Sequence, residues 1–255
     1  MPQNNAKPLK PLKWYKELAG PEYRREYGVF LVEGDRAIRQ IMVHHAAEIT
    51  EIVSVSGPSD VYRRYDIRPV SASQFRTISQ TRTPQGIMAV VRLPPETYSA
   101  GLPEKVGSRI LLLEDIQDPG NVGTLIRTAA AFDFDGVVLT EKCADPFSPR
   151  CVQATAGGVL SVWLRRSDRY LELVQSLKEK GFTLMAADLE GRAAPPVLNG
   201  LKKVVMALGN EAAGLSGPLL SLSDYRVRIP IVRDKAESLN VAACGAILMY
   251  LTSVK

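Results

Sequence analysis

Only two histidines occur in the 255 residues, His44 and His45, and they are neighbours. The three cysteines, Cys143, Cys151 and Cys244, are odd in number and widely spaced, and no C-x-x-C pair exists. A zinc site or a disulfide framework is therefore not expected, and the pattern fits a reduced, cytoplasmic protein. Long apolar runs are missing too: the longest, 241–251, falls well short of the roughly 18 residues that span a bilayer. The opening MPQNNAKPLKPLK is positively charged but has no apolar h-region, so no secretory signal is visible. The phosphate-cradling G-x-x-x-x-G-K-S/T loop is absent, as are a G-x-G-x-x-G turn after a strand and a G-x-S-x-G elbow. These gaps argue against the commonest α/β enzymes, including a nicotinamide-dependent oxidoreductase on an ordinary doubly wound sheet.

What is present suffices for a substantial core. Hydrophobic residues make up 45% and charged residues 23% of the chain, both close to the globular average. The net charge of +5 is unevenly spread. Residues 1–105 hold 15 Lys and Arg against 11 Asp and Glu, a net of +4, which leaves +1 for residues 106–255. A basic first segment attracts polyanions such as RNA; it also serves as a solubilising surface, and charge alone leaves both readings open.

The stretch 93–108, rich in Pro, Gly and Ser, is the best candidate for a linker, which divides the chain into 1–105 and 106–255. The first part alternates helical and extended patterns: a basic helix over 14–27, strands over 29–32, 49–55 and 86–93, and helices over 34–45, 59–65 and 73–79. The second part alternates more strongly. Strands are expected at 109–116, 136–140, 160–164, 182–187, 203–208 and 225–231. Helices are expected at 121–132, from 149 to 156, at 170–180 and at 238–253. Repeated βα units imply a largely parallel sheet with helices on both faces. The last helix is apolar around most of its circumference, so it must be buried, either in its own domain or against a partner subunit.

Three polar clusters then stand out, each at the end of an expected strand: DPGNVGTLIRTAAAF (118–132), ALGNEAAGLS (207–216) and IPIVRDKAESLNVAACGAI (229–247). In open α/β sheets ligands collect outside the carboxyl ends of strands. Asn121 follows a turn and opens a helix, where an ordinary N-cap is the plain alternative to a functional role. Arg127 sits in an otherwise small and apolar helix, either as a surface charge or as a planar fork that grips phosphate. Gly209 allows close backbone approach. Glu211 is placed to hold Arg127 by a charge-assisted pair. Ser238 is expected to cap the last helix, which leaves Asn240 in the first turn, where free N–H groups face ligands.

Together these segments resemble the SpoU family of RNA 2′-O-ribose methyltransferases, of the SPOUT superfamily. The resemblance rests on D-P-G-N-V-G-T-L-I-R-T-A, G-N-E-A-A-G-L-S, and I-P-I followed by S-L-N-V-A-A, in the family's order. The stretch from Asp145-Pro146-Phe147-Ser148-Pro149-Arg150 to Gly158 resembles an intermediate motif, with Thr155 where the family pattern has Ser. Phe30-Leu31-Val32-Glu33-Gly34 resembles, more loosely, the L30e-like substrate-binding domain of the same proteins. The resemblance implies an α/β-knot catalytic domain with a deep trefoil knot and parallel sheet at 106–255, and a smaller L30e-like α/β domain at 1–105. It implies S-adenosylmethionine as cofactor, held by Leu208, Gly209, Ile229, Ser238 and Leu239. Asn121, Arg127, Glu211, Ser238 and Asn240 carry over as catalytic or RNA-positioning residues, and no metal is called for. It further implies a homodimer through the C-terminal domain and an RNA substrate, ribosomal more than transfer RNA. Lys7, Lys10, Lys13, Lys16, Arg24, Arg25, Arg36 and Arg39 are the cations expected to grip that RNA. A non-catalytic RNA-binding protein on the same scaffold is the alternative that intact Asn121, Arg127, Glu211, Ser238 and Asn240 oppose.

Overall fold

The computed structural model describes residues 10–57, 59–192, 200–232 and 234–253. The chain divides into two units, 1–93 with 147–149, and 94–146 with 150–255. The stretch 93–108, expected as a linker, falls almost wholly in the second unit. Arg165 Nε donates to the Gly101 carbonyl at 2.7 Å and Trp163 Nε1 to the Val106 carbonyl at 3.0 Å, which tie it to an edge strand.

In the first unit the expected basic helix is two helices, α1 (Leu12–Glu17) and α2 (Pro21–Tyr27). Pro21 disfavours the helical region for the residue before it, and Gly20 is extended at φ −80°, ψ 136°. Next come β1 (Val29–Glu33), α3 (Asp35–His45), β2 (Ile49–Ser54), β3 (Asp66–Pro69), α4 (Ala72–Ile78) and β4 (Ile87–Arg92). The sheet order is β1-β4-β2-β3, antiparallel except for the β2–β3 pair. Strand β3 was not expected; it is a short edge strand with exposed side chains and no apolar alternation to betray it. Helix α4 begins with a capping box in which Ser71 and Gln74 satisfy each other's backbone N–H groups. Trp14, Tyr15, Leu18, Leu31, Val53, Phe75, Ile78, Met88 and Val90 pack as this unit's core.

The second unit holds β5 (Arg109–Leu113), α5 (Pro119–Ala131), β6 (Gly136–Leu139), α6 (Pro149–Thr155), β7 (Trp163–Arg166), α7 (Tyr170–Glu179), β8 (Thr183–Ala187), β9 (Val204–Leu208), α8 (Gly217–Leu222), β10 (Tyr225–Val227) and α9 (Val241–Ser253). Its six strands are all parallel, in the order β10-β8-β9-β5-β6-β7. The central strands β5 and β9 are apolar runs covered on both faces, as a parallel sheet demands. Strand β5 stops at Leu113, three residues before the expected end, because the chain turns at Asp115, which adopts φ 57°. Helix α8 was missed, although Ser216 accepting from the Leu219 N–H and a proline in the first turn are ordinary start signals. Strand β7 begins at Trp163 rather than 160, and β10 ends at Val227 rather than 231.

Helix α9 packs against α5 within its own unit. Val241, Ala242, Gly245, Leu248 and Met249 are buried, and Ser253 Oγ donates to the Phe132 carbonyl at 3.1 Å. Ile247 and Tyr250 remain exposed. A side chain at Gly245 would begin 2.4 Å from Leu125 Cδ2 and 2.8 Å from Leu208 Cδ1. Both leucines are buried, so their methyl ends must shift to admit it. Gly245→Leu should therefore cost about 1–3 kcal/mol by overpacking, read as a lower urea midpoint; an unchanged midpoint would show that the α5–α9 seam is loose.

Candidate active site

Segments beyond the carboxyl ends of β8, β9 and β10 wall a cavity of about 290 Å³, at the small end of ligand pockets. Ala187, Asp188 and Leu189 come from the end of β8. Leu208 to Leu215 follow β9, and Val227, Ile229, Ile231, Ser238 and Leu239 follow β10. Val241 and Cys244 add the first turn of α9. Leu208, Gly209, Ile229, Ser238 and Leu239 thus all line one cavity. The apolar side chains of Leu208, Leu215, Ile229 and Val241 suit an aromatic base.

The loop after β9 is folded on itself. Asn210 and Gly214 exchange backbone hydrogen bonds of 3.1 and 2.9 Å. A Cβ on Gly209 would sit 2.3 Å from the Gly214 backbone, so only glycine permits this approach. Asn210 Oδ1 accepts from the Ala212 and Ala213 N–H groups, while its Nδ2 donates to the Asp115 carbonyl at 2.8 Å.

A polar relay joins the three sequence clusters. Asn121 Nδ2 donates to Glu211 Oε1 at 2.8 Å, and Asn240 Nδ2 donates to Asn121 Oδ1 at 3.1 Å. Asn240 Oδ1 in turn accepts from the N–H groups of Ala242 and Ala243, at 2.9 and 3.3 Å. Asn240 is therefore the residue whose side chain caps α9, and Ser238, expected in that role, lines the cavity instead. Asn121 caps nothing: Asp118 accepts its backbone N–H at 2.9 Å, which leaves the Asn121 amide for the relay.

Glu211 does not pair with Arg127; its carboxylate accepts from the Asn121 amide instead. Arg127 lies six residues further along α5, exposed, and among the described residues it makes no hydrogen bond or ion pair. Thr155 Oγ1 donates to the Val152 carbonyl at 2.7 Å, so this buried hydroxyl is occupied within its own helix.

Sequence reasoning missed Asp188 at the end of β8, where the rule of strand carboxyl ends also applies. Arg226 Nε pins its carboxylate at 2.6 Å. It missed Glu114 and Tyr170 as well. The buried Glu114 carboxylate accepts from the Tyr170 hydroxyl and, at 2.7 Å, from the Ser216 N–H. Burial and this bond push the Tyr170 hydroxyl up to about 12.

The candidate RNA-gripping cations differ in availability. Lys7 lies outside the described residues. Lys10, Lys16, Arg25 and Arg36 are exposed. Lys13 is exposed beside Glu17, and Arg39 is bonded to Asp35 at 2.6 Å. Arg24 must be withdrawn: it is 2% exposed, and its Nη1 donates to the Leu18 and Ala19 carbonyls that end α1. Among the described residues no cluster of His, Cys, Asp and Glu could hold a metal ion, and no helix is long and apolar enough to cross a membrane.

Residues 108–250 match the SpoU rRNA Methylase family model, and residues 10–89 match a model named MRM3-like substrate binding domain. A 23S rRNA (guanosine(2553)-2′-O)-methyltransferase of Bacillus subtilis is 30% identical over 94% of this chain and 94% of its own. A solved TrmH-family structure from Porphyromonas gingivalis, 30% identical, superposes with a TM-score of 0.79 over 94% of this chain and 96% of that one. An AdoMet-bound rRNA methyltransferase from Sinorhizobium meliloti, 26% identical, also gives 0.79, over 94% and 93%.

Burial raises all three thiols, Cys244 on the cavity wall to about 11. The folded protein thus keeps these protons where the unfolded chain would lose them. The stability they contribute is complete below pH of about 8.5 and is lost as pH climbs through the folded value. Iodoacetamide at pH 8.5 should label the native protein far more slowly than the urea-unfolded chain, and Cys244 should speed up towards pH 11. Equal rates at pH 8.5 would contradict the burial.

Proposed function

The chain belongs to the SpoU rRNA methylase family, and from that premise and the geometry of its site we propose that it methylates a ribose 2′-hydroxyl of ribosomal RNA, with S-adenosylmethionine as donor. The observation that carries this reading is the convergence of all five expected cofactor contacts on one cavity, beside a relay that links it to helix α5. The cavity's composition fits the group. Leu208, Leu215, Ile229 and Val241 would pack its base, and the backbone at Gly209 and the Ser238–Leu239 segment would meet its polar atoms. The knotted chain path implied by the family resemblance belongs to the same reading, since the cavity walls come from the three late segments such a knot would gather.

When bound, the cofactor supplies a methyl group already activated on a sulfonium, so the protein's main task is orientation. Arg127 is assigned to the RNA. A guanidinium stays protonated in proteins, so it binds a backbone phosphate through its fork and stabilises negative charge growing on the 2′-oxygen. Asn121, held from one side by Asn240 and bonded on the other to Glu211, orients the sugar, and Ser238 holds the cofactor side. In the first unit, Lys10, Lys13, Lys16, Arg25 and Arg36, with Arg39 in support, grip the RNA, so that 1–105 binds and 106–255 catalyses. The working species is a homodimer in the cytoplasm. The exposed Ile247 and Tyr250 on the outer face of α9 support a subunit contact there.

Two measurements test this reading. Arg127→Lys keeps the charge and removes the fork; single-turnover methylation should fall about a hundredfold while calorimetric cofactor affinity stays put. Full activity would remove Arg127 from its role. Reversing Lys10, Lys13 and Lys16 to Glu should weaken RNA binding and flatten its salt dependence by up to about three phosphate contacts. An unchanged salt slope would move the RNA site elsewhere.

A further inference from the structure

We propose that Glu114 is a positioning residue that hangs the cofactor-side loop 209–216 on the central strand β5, an inference that rests on the reading of the cavity as the cofactor site. Glu114 is bonded at both ends of that loop. Its backbone N–H donates to the Leu208 carbonyl at 2.9 Å, where the loop begins. Its Oε2 accepts from the Ser216 N–H at 2.7 Å, where the loop ends. The neighbouring Asp115 carbonyl takes Asn210 Nδ2 at 2.8 Å, a third tether from the same turn. The residues between these tethers, from Gly209 to Leu215, line the cavity, and Glu211 enters the relay to Asn121.

The chemistry of Glu114 marks it as more than filling. It is 3% exposed, and among the described residues no cation pairs with it. A buried carboxyl without a cation is costly, and an apolar side chain would fill the space at less expense. What the carboxylate provides is two acceptor oxygens in fixed directions. One is held by the Tyr170 hydroxyl at the start of α7, which aims the other at the loop. Tyr170 OH also lies 3.5 Å from Ser216 Oγ, the group that caps α8. The loop's exit and the start of α8 are thereby set by one side chain.

The test compares the full-length protein with Glu114→Ala, Glu114→Gln and Tyr170→Phe. It measures hydrogen exchange of residues 209–216 without ligand, then calorimetric binding of S-adenosylmethionine, then KM for the cofactor and kcat. Glu114→Ala should speed exchange in the loop and raise both Kd and cofactor KM by about tenfold, with kcat falling much less and RNA affinity unchanged. Glu114→Gln can still accept from Ser216 while its amide donates to the Tyr170 oxygen, so it should stay within about threefold of the parent. A purely structural role would lower the melting temperature without this split. Parent-like loop exchange and Kd in Glu114→Ala, or a glutamine as damaging as alanine, would overturn the proposal. Should Glu114→Ala not fold, Tyr170→Phe decides: a looser loop and weaker cofactor binding support the tether, and parent values refute it. Failure of the parent itself to bind S-adenosylmethionine would sink the cofactor reading, whereas ligand-free loop exchange judges the tether independently.

Discussion

The Asn121 amide is the joint on which the site depends. Among the described residues it is the one side chain bonded to both of the other polar clusters, and its orientation admits a single solution. Asn240 Oδ1 is consumed by two backbone N–H groups at the start of α9, so its Nδ2 must face Asn121 Oδ1. Asn121 Nδ2 must then face Glu211. An amide's two ends are fixed by the network around it, and here the network begins at peptide groups that cannot turn over. The direction of every donor in the relay follows from the capping of one helix.

That arrangement was partly legible in the sequence. The clusters at 118–132, 207–216 and 229–247 were recognisable because polar residues at strand ends are unusual beside the apolar runs of β5 and β9. Their convergence follows from all-parallel pairing, which places every strand's carboxyl end on the same edge. The alternation of strands and helices was legible for the same reason: a strand buried on both faces leaves an unbroken apolar run. Edge strand β3 left no such trace, and α8 is too short to show a period.

The partners within the site were not legible, because a sequence shows which groups want hydrogen bonds but not which of several neighbours supplies them. Asn121 and Asp118 are both good caps three residues apart, and the choice between them decides whether Asn121 is free. Glu211 could satisfy itself on Arg127 or on Asn121, and only the fold of the β9 loop settles it. Arg24 looked like any other cation of a basic helix. The break at Gly20–Pro21 folds α2 back on α1, and this turns Arg24 inward onto the carbonyls that α1 leaves unbonded. A single proline thus converts a nucleic-acid candidate into a structural one.

The site separates two tasks that one residue cannot combine. Groups that set geometry are already bonded: Asn240 to peptide groups, Asn121 to Asn240 and Glu211, Asn210 to Asp115, Asp188 to Arg226. Each donor or acceptor used this way is withdrawn from the ligand, so the residues that hold the frame contribute little charge of their own to the reaction. The guanidinium of Arg127 is left without a protein partner among the described residues. On the proposed reading, a guanidinium without a carboxylate partner retains its full set of donors for a phosphate and need not break an ion pair to bind one. On the same reading, a Glu211–Arg127 pair would have cancelled that charge before RNA arrived. The relay therefore does more than fix Asn121: it engages the carboxylate of Glu211, the residue that the sequence alone offered as a partner for Arg127.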